Sequence, residues 1–261
     1  MNPDNKKNIL KQCVYEFLGT GLIIFFGIGS IALSKLTNIH FSQYEISIIW
    51  GLSVSIAIYF SFSTSGAHFN PAITIFLWLS SQFSKKKVVP YIMSQISGSF
   101  FFTMLIYYIY NNILISFEKN NNIIRGSQKS LDIASIFCIY PKNYNNFMHD
   151  FITEIIITVI FIIILMKLNN KNLFFTSYNI LYPILIGILV TIINASFGAL
   201  NNIVLNPAQD LGPRIFLSLV GWGKSAFLGQ ENSYFPYFLV PTIAPIIGIN
   251  LGGWIYNLFI K

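Results

Sequence analysis

The sequence predicts an all-α membrane protein: six transmembrane helices and two shorter re-entrant half-helices, arranged as two inverted repeats. Three observations predict it. The 261 residues are 54% hydrophobic and only 10% charged, with a mean hydropathy of +0.62, whereas a soluble domain carries about 25% charged residues. Asn-Pro-Ala occurs twice, at Asn70-Pro71-Ala72 and, 136 positions on, at Asn206-Pro207-Ala208. A lone glutamate inside an apolar run precedes each copy, Glu16 by 54 positions and Glu154 by 52.

A membrane-spanning helix needs roughly 20 apolar residues. Six runs meet this with some latitude at their ends: 14–33, 46–62, 88–114, 151–166, 180–197 and 234–258. The first follows a basic segment, as a secretory signal does, but its length, its Glu16 and its later counterpart predict that it is retained. Segments 68–80 and 206–219 are apolar but too short to cross, which fits half-helices that enter and return. Each begins with Asn followed by Pro, a start signal: the Asn side chain caps, and Pro is tolerated in the first turn. Each half therefore reads as span with Glu, span, half-helix, span. Three full spans per half make the second half inverted relative to the first. The chain is expected to be one channel domain, 1–261, with repeats at about 13–114 and 150–258.

The net charge of +7 does not point to nucleic acid, because the lysines cluster at the ends of apolar runs. Lys6, Lys7 and Lys11 precede the first span and Lys85, Lys86 and Lys87 the third; Lys167 and Lys171 follow the fourth, and Lys261 ends the chain. With six spans these all fall on one side, which the positive-inside rule makes cytoplasmic, both termini included. The opposite side is expected to hold Lys35, Arg214, Lys224 and a polar loop at 116–149 with Lys119, Arg125, Lys129 and Lys142. Cys13 and Cys138 are too few for a disulfide framework, and no Cys/His spacing suggests a metal site. No cofactor is implied, and the absence of a nucleophile–base pattern or H-E-x-x-H argues against an enzyme.

Inverted repeats with broken helices place their site near the midplane, where the halves meet. Two helix N-termini abutting there present unpaired N–H groups and partial positive charge, with Asn70 and Asn206 adding amide donors. Small neutral molecules find donors on one wall and apolar surface elsewhere, while cations meet an unfavourable field. Glu16 and Glu154 have two readings. One is a proton-coupling carboxylate of a secondary transporter. The other is a scaffold that accepts hydrogen bonds from the non-helical backbone leading into each half-helix. His68 either joins that network or lines the cytoplasmic mouth. Gly248 and Gly252, and Gly19 and Gly21, suit close helix crossing, and Trp222 and Tyr237 read as interfacial anchors.

The run Ser65-Gly66-Ala67-His68-Phe69-Asn70-Pro71-Ala72, the second Asn206-Pro207-Ala208, and Glu16 and Glu154 at their distances resemble the aquaporin superfamily. Asp210, continuing as Leu211-Gly212-Pro213-Arg214, resembles its glycerol-conducting branch, as do segments 45–52 and 117–127. The similarity runs over about residues 13–254. It implies an aquaporin-like fold, a homotetramer with one pore per subunit in the cell membrane, and passive conduction of glycerol and related small neutral solutes. It also implies an outer constriction made of an aromatic wedge, which packs on the solute's carbons, and an arginine, which donates to its hydroxyls. Trp50 matches the tryptophan of that constriction.

The other three constriction positions depart from the family. Gln209 stands where the arginine would follow the second Asn-Pro-Ala; Ile203 replaces an aromatic three positions before Asn206; Asn194 replaces a glycine in the fifth span. Gln209 keeps a donor but lacks the fixed charge and fork of a guanidinium. Two readings fit: drift or a sequence anomaly that leaves conduction impaired or permissive, or a retuned filter in which Asn194 and Gln209 act as two neutral amides. The alternatives to glycerol are a water, urea or ammonia pore and, from another class, a coupled secondary transporter.

Overall fold

The computed structural model describes residues 3–141, 147–168, 181–201, 203–229 and 235–260, with only the backbone given for 3–7 and 199–201. Lys142, Lys171 and Lys261, and the expected span limits at residues 180 and 234, lie outside the described residues. Among the described residues ten α-helices follow in order: α1 (Pro3–Leu36), α2 (Gln43–Ser65), α3 (Pro71–Leu79), α4 (Lys85–Asn120), α5 (Leu131–Ala134), α6 (Phe147–Leu168), α7 (Leu181–Asn201), α8 (Pro207–Leu217), α9 (Ser225–Leu228) and α10 (Leu239–Phe259). Six of them, α1, α2, α4, α6, α7 and α10, are long and apolar enough to cross a membrane. The chain is a multi-pass membrane protein, and α3 and α8 are its half-helices.

Local sequence sets the helix ends. Ser42 and Glu45 form a reciprocal capping box at the start of α2, each satisfying a backbone N–H that no helical carbonyl reaches. Gly66 closes the same helix at φ 86°, a left-handed cap that only glycine adopts without steric cost. Helices α1 and α4 overrun the expected spans, because a helix satisfies its own backbone in water as well as in lipid and therefore does not stop where apolar residues do.

The halves pack alike. Helix α1 lies against α4 and α2, as α6 lies against α10 and α7; α2 and α7 join the halves, and each half-helix rests on α4 and α10. Glycines permit the closest crossings. A Cβ on Gly98 would sit 2.2 Å from the Phe17 carbonyl oxygen, and one on Gly248 2.7 Å from the Ile155 oxygen and 1.9 Å from Thr158 Oγ1. Phe17 and Ile155 are the residues that follow the two glutamates. The pattern Gly248-x-x-x-Gly252 does reflect packing, with Gly252 over Val159 and Ile162. Gly19 lies under Phe69 and Gly21 under Phe102.

The described residues of segment 116–149 do not form a polar loop. Helix α4 continues to Asn120, a 3-10 turn (Gln128–Ser130) and α5 follow, and α6 starts at Phe147. Leu131, Ile133, Ala134, Ile136, Phe137, Cys138 and Tyr140 are all buried in the core. This apolar stretch is too short to span, so averaged hydropathy hides it, yet it caps the ends of the long helices. Trp222 and Tyr237 are likewise not interfacial anchors. Trp222 is 1% exposed, donates Nε1–H to Ser130 O and stacks under Arg125; Tyr237 donates to Asp150 Oδ2. Arg214, counted among outer-side charges, is fully buried against Asp210.

Candidate functional site

The non-helical stretches that lead into α3 and α8 follow one geometry. Asn70 and Asn206 are N-caps at φ −146° and −144°, and the preceding Phe69 and Leu205 are left-handed at φ 51° and 59°. That conformation costs a bulky residue about 1–3 kcal/mol and persists only where the surroundings hold it. The glutamates hold it. Glu16 accepts from the His68 and Phe69 N–H groups at 3.0 and 2.7 Å. Glu154 accepts from the Val204 and Leu205 N–H groups at 3.3 and 2.7 Å. Gln95, a residue that sequence reasoning passed over, donates Nε2–H to Glu16 at 2.8 Å and to Thr74 at 3.0 Å.

His68 takes part in the loop network and also contributes to a cavity wall. Its backbone N–H belongs to the Glu16 network, while its ring lies 3.2 Å from Thr74 Oγ1 and packs on Phe83 and Tyr91. The residue also lines the larger cavity.

Each asparagine is fixed at both ends of its amide. Asn70 Oδ1 accepts from the Ala72 N–H at 2.9 Å, and its Nδ2 donates to Leu205 O at 2.8 Å. Asn206 Oδ1 accepts from Ala208 N–H at 3.0 Å, and its Nδ2 donates to Phe69 O at 2.9 Å. The two half-helices are thus tied tip to tip by reciprocal bonds, which employ the Leu205 and Phe69 carbonyls. Pro71 and Pro207 occupy the first helical turns, where the missing N–H costs nothing. Each Nδ2 carries a second N–H, and both asparagines line a cavity of about 560 Å³.

A second cavity of about 280 Å³ lies beyond it, lined by Lys35, Gln43, Ile203 and Asp210 among others. Four residues line both: Trp50, Asn194, Val204 and Gln209. Trp50 fits because Gly27 on α1 lacks a side chain; a Cβ there would stand 2.5 Å from the indole ring. Three of the four expected constriction residues therefore stand where the chambers meet, and Ile203 lines only the second one. The Asn194 and Gln209 side-chain amides have no hydrogen-bond partner among the described residues; the Asn194 backbone oxygen accepts from Gln43 Nε2 at 3.3 Å and the Gln209 backbone N–H donates to Asn206 O at 3.1 Å. Asp210 does not face a solute path alone: it is 1% exposed, accepts from the Ile139 N–H at 2.8 Å and pairs with Arg214.

The arrangement offers donors, acceptors and apolar wall. Burial pushes the Cys138 thiol up to about 12, so it keeps its proton. Six spanning helices enclosing two opposed half-helices, whose asparagine tips line one chamber and which a second chamber adjoins at Trp50, Asn194 and Gln209, define a transmembrane channel. The chain belongs to the major intrinsic protein family, whose model matches residues 4–256. It is 67% identical over 261 residues to the glycerol uptake facilitator protein of Buchnera aphidicola subsp. Schizaphis graminum, covering 100% of both chains. It is 45% identical over 246 residues to that of Escherichia coli K12, covering 94% of this chain and 86% of the relative. The solved aquaglyceroporin from Plasmodium falciparum superposes with a TM-score of 0.83 at 27% identity, covering 97% of each chain.

Proposed function

We propose that the chain is a passive channel for glycerol and other small neutral solutes across the cytoplasmic membrane, and not an enzyme. The observation that carries this reading is the reciprocal Asn70–Leu205 and Asn206–Phe69 bonding beside a cavity of about 560 Å³. It fixes two amide donors where the half-helices meet, and their N-termini disfavour cations there. The relatives named glycerol uptake facilitators support the solute. In this reading Asn70-Pro71-Ala72 and Asn206-Pro207-Ala208 form the central donor pair, and Trp50, Asn194, Ile203 and Gln209 form the constriction. Glu16, Glu154, His68 and Asp210 support the loops. The repeats span about 13–114 and 150–258.

Proteoliposomes test it together with the filter. Glycerol flux is expected to rise linearly with concentration and to ignore a proton gradient; saturable, gradient-dependent uptake would instead indicate coupled transport. Gln209 puts no fixed charge at the constriction. A unit charge about 4 Å from a passing cation raises its energy by about 4 kcal/mol at an effective dielectric of 20. Gln209→Arg is therefore expected to cut residual cation leak by about tenfold or more and to change glycerol flux. Unchanged leak and flux in that variant refute the filter assignment.

The chain is further read as a homotetramer with cytoplasmic termini, supported by the lysines at 85–87 and by the apolar outer faces of α2 and α6, where Ile48, Leu52, Ile56, Ile152, Ile156 and Ile160 are exposed. Light scattering in detergent is expected to give four chains. An impermeant thiol reagent is expected to label Lys86→Cys only in opened cells; a single-chain mass, or labelling of intact cells, contradicts the respective assignment.

A further inference from the structure

Arg214 is completely buried on α8, and all three of its guanidinium nitrogens are hydrogen-bonded. Nε and one terminal nitrogen bond the Asp210 carboxylate, one turn earlier on the same helix. That terminal nitrogen also bonds Ile139 O, and the other donates to Ala226 O at 2.6 Å. The plane lies over the Tyr140 ring at 4.8 Å, and Tyr140 OH donates to the same Ala226 carbonyl at 3.0 Å. Asp210 in turn accepts the Ile139 N–H. One residue of the outer cap, Ile139, is therefore gripped through both its N–H and its C=O by a pair that starts one position after Gln209.

Its location gives that grip a consequence. Residues 135–139 line the outer chamber together with Trp50, Asn194 and Gln209. Other ties hold the cap elsewhere: Lys35 bonds Asp132 and Ser135, and Arg125 bonds Glu118 and Val220 O. The Lys35 and Asp132 side chains are 31% and 71% exposed, whereas Arg214 and Asp210 are at 0% and 1%. A buried ion pair adds little net stability over apolar packing, but it enforces one geometry, because breaking it strands a charge. Arginine suits this work: its planar fork reaches several acceptors at once, which a lysine cannot do.

We propose that Asp210 and Arg214 are positioning residues that hold the Ile139 peptide against the start of α8 and so fix the width of the outer opening and the largest solute admitted. This rests on the channel reading above and adds the determinant of its size limit. A merely structural pair would, when weakened, scale the flux of every solute alike. A positioning pair changes the ratio between solutes of different size.

The experiment compares swelling of proteoliposomes in glycerol and in xylitol, a linear five-carbon polyol, for wild type, Arg214→Lys and Asp210→Asn. The lysine keeps a cation beside Asp210 but cannot also hold Ile139 O and Ala226 O; the asparagine keeps the shape and removes the charge. Both are expected to raise the xylitol-to-glycerol permeability ratio by about threefold, since selectivity is a difference between two solutes' free energies. A ratio unchanged in both variants overturns the proposal, as does a failure of both to fold, which would make the pair structural only. Wild-type glycerol flux no greater than that of protein-free vesicles would instead overturn the channel reading itself.

Discussion

Glu154→Leu is expected to reduce solute flux to the level of protein-free vesicles. Among the described residues the carboxylate accepts from two backbone N–H groups, those of Val204 and Leu205, and it is 3% exposed. The leucine accepts neither. Each buried N–H left without a partner costs about 1–3 kcal/mol, and two of them remove a large share of the 5–15 kcal/mol by which a typical protein is stable. Leu205 would then lose what holds its left-handed backbone, and its carbonyl would release Asn70 from across the molecule. Glu154→Gln keeps one acceptor oxygen and is expected to fall between the two. Flux, with membrane-inserted protein quantified on the same sample, checks this; normal flux per inserted chain in Glu154→Leu would show that the loop holds itself.

The second large effect is expected at a residue with no polar chemistry. Gly98→Ala adds one methyl, which meets Phe17 O at 2.2 Å and the Phe17 carbonyl carbon at 2.9 Å. Both are main chain, so α1 and α4 must separate. Overpacking of this kind costs about 1–3 kcal/mol, and because Phe17 follows Glu16 the displacement reaches the bonds to His68 and Phe69. Thermal stability and flux are expected to fall together. Gly29→Ala is the control on the same helix pair: its methyl would stand 3.3 Å from Ile106 Cδ1, the end of a side chain that can yield. Equal behaviour of the two variants would refute the argument from backbone contact.

The legible part of the site was the part encoded by local chemistry. Asn before Pro marks a helix start whatever surrounds it, and a single Glu inside an apolar run has to find donors. Asn70, Asn206, Glu16 and Glu154 could therefore be singled out from residue type and spacing. Gln95 and Thr74 could not, since a lone Gln or Thr within a helix is ordinary and becomes informative only when another element brings Glu16 and His68 to it. The same holds for Gly98 and for the pair Gly51–Gly187, where a Cβ on either would lie 2.4 Å from the other's carbonyl oxygen. No spacing within one helix reveals which glycine meets a neighbour.

Misreadings had one cause. Trp222 and Tyr237 stand near span ends, where aromatic side chains usually meet the interface, and a basic residue such as Arg214 reads from sequence as a solvated charge. The stretch 131–140 was averaged into its polar surroundings. Each of these residues is in fact buried under a cap formed by segments far apart in sequence, as the Trp222–Ser130 and Arg214–Ile139 bonds illustrate.

By itself the sequence determined that the chain crosses a membrane, how many times, and that two matched half-helices begin at Asn-Pro-Ala. Those properties follow from hydropathy, helix length and capping, all of which act within a few turns of chain. Only the tertiary structure decided that each asparagine donates across to the other half's loop, that Trp50, Asn194 and Gln209 stand where two chambers meet, and that Arg214 faces inward to grip Ile139. These depend on distances between segments up to 137 positions apart, and such distances are fixed by packing, on which neighbouring residues have no bearing.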